Sequence, residues 1–170
     1  MAWILALMGV GSAFYHASET TLGMWLDWAG MYAMTGFMGA FALGRAFGVR
    51  ARGRMALFAA LLGIGLFSLG LPRSFAREIF VVTSLLCPVL EAFLAVRPQT
   101  RAPSYRWFFA AYAALAPAVV LWALDQRGLL CNPENHVLSG HGAWHLLDAF
   151  MFWCSFRFYA GLPPSAATGR

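Results

Sequence analysis

Long apolar stretches alternate along the chain with short polar breaks. Apolar residues dominate roughly 1–17, 22–45, 54–71, 78–96, 106–124 and 141–160. A helix of about 20 residues crosses the roughly 30 Å of hydrocarbon in a bilayer. Five of the six stretches come close to that length. The first supplies 16 residues up to His16, about 24 Å of helix at 1.5 Å per residue. The pattern predicts an all-α integral membrane protein with six transmembrane helices. Pro88 and Pro117 fall inside the fourth and fifth stretches, where they are expected to kink or locally open the helix.

Composition agrees: 61% of the residues are hydrophobic and 11% charged, against roughly a quarter charged in a soluble domain. No polar linker divides the chain, so residues 1–170 read as a single transmembrane domain. The net charge of +5 is carried by arginines clustered between apolar stretches, which points to membrane topology and not to nucleic acid. Arg45, Arg50, Arg52, Arg54, Arg97, Arg101, Arg106, Arg157 and Arg170 fall on one side of the predicted bundle; Arg73, Arg77 and Arg127 fall on the other. The positive-inside rule makes the first side cytoplasmic, with both termini there. The loops at 17–21, 71–77 and 125–140 then face outward. Cys87, Cys131 and Cys154 show no paired spacing, so neither a disulfide framework nor a zinc knuckle is expected. The N-terminus lacks the charged leader and small-residue cleavage site of a signal peptide. All twelve basic residues are Arg, as a GC-rich genome would encode, which favours a bacterial inner membrane; in a eukaryote the equivalent is the endoplasmic reticulum or Golgi.

Ionisable side chains inside a membrane are costly and are functional candidates by default. Ser12 and His16 are four residues apart and share a helix face; His141 and His145 repeat the spacing. Reflection about the turn between Glu19 and Thr20 sets Asp27 level with Ser12 and leaves His16 one turn nearer the outer surface. His141 starts the last helix on that same outer side, with His145 one turn deeper. Three neutral imidazoles with a fourth position open suit a catalytic Zn²⁺. In that reading His16, His141 and His145 bind the metal, Asp27 handles the proton of the attacking water and Ser12 holds the developing oxyanion. Trp144 shapes the pocket wall or donates its indole N–H.

Plainer roles stand beside these. Gly9, Gly11 and Ser12 form a small-residue face that could serve helix packing alone. Asp148 is either a partner for a ligating imidazole or a polar contact between helices. His136 reads as a solvated loop residue, Glu91 as a side chain snorkelling to the aqueous boundary, and Glu19 and Glu134 as loop charges. The aromatic stretches around Trp107 and from Phe150 to Tyr159 read as packing and interface anchors.

Taken together, Gly-x-Gly-Ser-x-x-Tyr-His at 9–16, Asp27, and Gly-His-x-x-Trp-His-Leu-Leu at 140–147 resemble the alkaline ceramidase family. Leu124-Asp125 with Cys131 extends the likeness. That family belongs to a group of intramembrane metal hydrolases that includes the adiponectin-type receptors and the GPI-anchor lipid remodellers. The resemblance implies a seven-helix bundle, here lacking its first helix and the acidic N-terminal segment that binds calcium in some members. It implies zinc on His16, His141 and His145, with Ser12 and Asp27 catalytic. The implied reaction is hydrolysis of the ceramide amide to a sphingoid base and a fatty acid. A family disulfide from the missing segment would leave Cys131 without its partner. Other functions compatible with the site are a receptor-like or interaction protein with structural zinc and an ester-cleaving lipid remodeller.

Overall fold

Among the described residues, six helices follow the six apolar stretches: α1 (Ala2–Ser18), α2 (Thr21–Ala46), α3 (Ala51–Ser68), α4 (Arg73–Ala95), α5 (Arg106–Gln126) and α6 (Gly140–Ala160). The computed structural model describes residues 1–97, 102, 104–130 and 139–162, and among the described residues there is no strand. Arg101, Cys131, Glu134, His136 and Arg170, assigned roles above, lie outside the described residues. Helices α3, α4 and α5 are long and apolar enough to cross a membrane, and α1 is apolar but shorter. Helices α2 and α6 are long, but α2 carries Asp27 and Arg45, and α6 carries His141, His145, Asp148 and Arg157. Helices α4 and α5 run through Pro88 and Pro117 without a break in the helix.

The chain falls into two compact units, Met1–Ala102 and Pro103–Leu162. In the first, α1 and α2 form an antiparallel pair joined by a two-residue turn. Glu19 caps α1 in the left-handed conformation (φ 49°), its N–H donating to the Tyr15 carbonyl. The Thr20 hydroxyl accepts from the Gly23 N–H at 3.1 Å and so starts α2. Glycines set the spacing of the pair. A Cβ on Gly30 would lie 2.8 Å from Met8 Cα, one on Gly23 2.8 Å from Tyr15 Cα, and one on Gly11 3.0 Å from the Leu26 carbonyl oxygen. Small residues at such crossings let two backbones approach closely.

Tyr32 ties α2 to α3 and α4. Its ring covers Gly65, where a Cβ would clash with Tyr32 Cδ1. Its hydroxyl donates to the Ala76 carbonyl at 2.6 Å and lies 2.8 Å from Ser68 Oγ. Phe80 packs edge-on against it and against Trp28, whose ring lies tilted to that of Tyr32.

Glu91 overturns one expectation. It does not snorkel to water: it is 0% exposed and forms an ion pair and hydrogen bond with Arg45 of α2. A carboxylate held inside an apolar bundle stays charged only beside a countercharge, and Arg45 supplies one. Arg54 lies close by, its aliphatic stem over Gly44, its Nε donating to the Val49 carbonyl at 2.9 Å and its guanidinium over the Phe41 ring.

In the second unit α5 and α6 pack through an alanine face. Ala111 and Ala114 of α5 meet Met151 and Cys154 of α6 in a buried cluster flanked by Trp107, Tyr112, Leu115 and Phe152. Residues 111, 114 and 118 recur on one helical face, and all three are buried alanines.

Candidate metal centre

Residues 141 and 145 owe their places to a capped helix start. Ser139 is the N-cap of α6, its hydroxyl accepting the Gly142 N–H at 2.9 Å. His141 therefore sits in the first turn and His145 one turn on. Their rings lie 4.7 Å apart between centroids and nearly perpendicular, at 80°. Both are half-buried.

Gly140, just before this pair, matters through Asp125 of α5. A Cβ at Gly140 would lie 3.0 Å from Asp125 Oδ1 and 3.2 Å from the Leu121 carbonyl oxygen. Only a residue without a side chain lets α6 begin this close to α5. Asp125 entered the sequence reading only through its motif, and its contact with Gly140 gives that motif a packing role. Trp144 lies against Trp122 of α5, with 6.0 Å between ring centroids.

His16 is in the last turn of α1, exposed, with the Tyr15 ring 5.1 Å away. Ser12 lies one turn back on the same face and is half-buried. Asp27 is also half-buried, and its backbone nitrogen would lie 3.5 Å from a Cβ on Gly11. Asp27 is thus level with Gly11, one residue from the alignment with Ser12 that reflection about the turn predicts. The contacts pair 8 with 30, 11 with the peptide between 26 and 27, and 15 with 23, which moves the register by that single residue.

Among the described residues, His16 of the first unit and His141 and His145 of the second are the three that could hold a metal ion. Each offers one ring nitrogen, and three imidazoles fit a zinc ion in number and chemistry. One turn further along α6, on the face of His141 and His145, Asp148 Oδ1 is buried with no hydrogen-bond partner among the described residues.

Comparison with family models, curated proteins and solved structures finds no match.

Proposed function

We propose that this protein is a zinc-dependent hydrolase working within the membrane on the amide bond of ceramide-like lipids. The observation carrying the proposal is the set of three imidazoles, His16, His141 and His145, that could hold a metal ion. Two sequence features support it: the likeness of the motifs at 9–16 and 140–147 to alkaline ceramidases, and six apolar stretches for a lipid-embedded bundle.

His16, His141 and His145 hold the ion in this reading. Zinc, when bound, supplies Lewis acidity and brings the pKa of a ligated water to about 7. Asp27 accepts a proton from the attacking water and returns it to the departing nitrogen. The Ser12 hydroxyl donates to the carbonyl oxygen as negative charge gathers there. The water oxygen adds to the acyl carbon, the C–N bond breaks, and the products are a fatty acid and a sphingoid base. The partner is thus a membrane lipid, with all six helices in the bilayer and the site towards its non-cytoplasmic side.

The test is to incubate purified protein with a panel of N-acyl and O-acyl lipids, with and without a chelator, and identify products by mass spectrometry. Release of sphingoid base over many turnovers, abolished by the chelator and restored by zinc, is the expected result. Ester cleavage alone would move the assignment to a lipid remodeller. Saturable binding without turnover would leave a receptor-like protein.

A further inference from the structure

A second site lies at the other end of the α5–α6 pair. A cavity of about 390 Å³ opens there, lined by Ser104, Arg106, Trp107, Arg157, Phe158 and Gly161 among others. That volume is within the range of ordinary ligand pockets. Its charged lining consists of two guanidinium groups, with no acidic residue among the described lining.

Both guanidiniums lean on one indole. The Arg106 Cζ lies 5.2 Å from the centre of the Trp107 ring and that of Arg157 4.9 Å, with Arg157 also 5.5 Å from Trp153. Neither arginine is ion-paired with a described residue. Cation–π contact favours each position, yet it holds two like charges at one indole with no anionic partner among the described residues. The Ser104 hydroxyl accepts the Arg106 backbone N–H at 3.4 Å, which leaves its own proton available to donate. Two planar forks and a hydroxyl are the donors that bind phosphate oxygens well.

Depth selects the source of the phosphate. Arg106 is the first residue of α5, a helix long and apolar enough to cross a membrane. A cavity at its end lies at head-group level, and the edge-to-face pair of Trp107 and Trp153, 5.0 Å between ring centroids, suits that boundary. We propose that this cavity binds the phosphate of an anionic phospholipid head group, the two arginines gripping its oxygens while the indoles and Phe158 border the glycerol. The proposal is independent of the metal-centre reading, because no histidine is among the described residues lining the cavity.

Native mass spectrometry of the full chain in a non-ionic detergent, titrated with phosphatidylglycerol, phosphatidylcholine or inorganic phosphate, tests it. Phosphatidylglycerol is expected to bind at least about tenfold more tightly than phosphatidylcholine, and Arg106→Gln with Arg157→Gln to remove that preference. Arg77→Gln, at an exposed arginine in α4, should leave it intact. Equal binding of the two lipids, or a double variant that keeps the preference, overturns the proposal. Competition by inorganic phosphate as effective as by the lipid overturns the lipid assignment. Should the glutamine pair lose its helical circular dichroism, Arg106→Lys with Arg157→Lys replaces it. That pair keeps the charge and loses the fork, so a several-fold drop supports the proposal and no change refutes it.

Discussion

Gly23 and Tyr15 meet backbone to backbone: a Cβ on the glycine would stand 2.8 Å from the tyrosine α-carbon, closer than real side chains come. Tyr15 precedes His16, so this contact fixes where α1 presents its imidazole. Gly23→Ala should push the helices apart, costing about 1–3 kcal/mol as overpacking does. A fall in the thermal midpoint together with weaker zinc binding is expected. A variant as stable as the parent would show that the pair tolerates a wider crossing.

Replacing His145 with Ala should eliminate both stoichiometric zinc and lipid hydrolysis, because two imidazoles and solvent hold the ion far less tightly than three. Elemental analysis of the purified variant beside product analysis checks both at once. Undiminished turnover in metal-free protein would falsify the metal reading.

Asp27→Asn separates binding from chemistry. The variant should retain zinc, since the carboxylate is not among the three ligands, and lose turnover by about 10²–10⁴-fold, the usual contribution of a positioned proton-transfer group. Parallel zinc and rate measurements decide it. Joint loss of metal would make Asp27 a ligand.

Glu91→Gln should destabilise by about 3–5 kcal/mol, because it strands the Arg45 guanidinium in an apolar interior. Glu91→Leu combined with Arg45→Met should cost much less than either single change. Chemical denaturation in detergent, read as a double-mutant cycle, measures the difference.

Tyr32→Phe removes the hydroxyl bonded to the Ala76 carbonyl and close to Ser68. A loss of about 1–3 kcal/mol is expected, the penalty for leaving a buried acceptor unsatisfied. The thermal midpoint of the purified variant reports it.

The helices were legible in the sequence because their cause is local: unbroken apolar runs ended by Arg, Pro and Gly. The pairing of His141 with His145 was legible for the same reason, four residues being one turn. Depth was nearly so, and the one-residue offset between Gly11 and Asp27 reflects how glycines, rather than the symmetry of the turn, set the crossing. What stayed hidden depends on distant partners. Glu91 alone looked like a boundary charge, and nothing near it in the chain points to Arg45, 46 residues away. Glu19, read as an ordinary loop charge, takes a left-handed cap that usually falls to Gly or Asn. The apolar–polar pattern marks α3 to α5 as spans more firmly than α2, which carries Asp27 and Arg45, and α6, which carries His141, His145, Asp148 and Arg157.

The Arg45–Glu91 pair constrains biogenesis. In the proposed bilayer setting, Glu91 in lipid without Arg45 is costly. Keeping α2 in the insertion machinery until α4 has been synthesised avoids that cost. The first four helices would then leave the translocon together, and a ribosome stalled before residue 91 should yield a chain still extractable from the membrane.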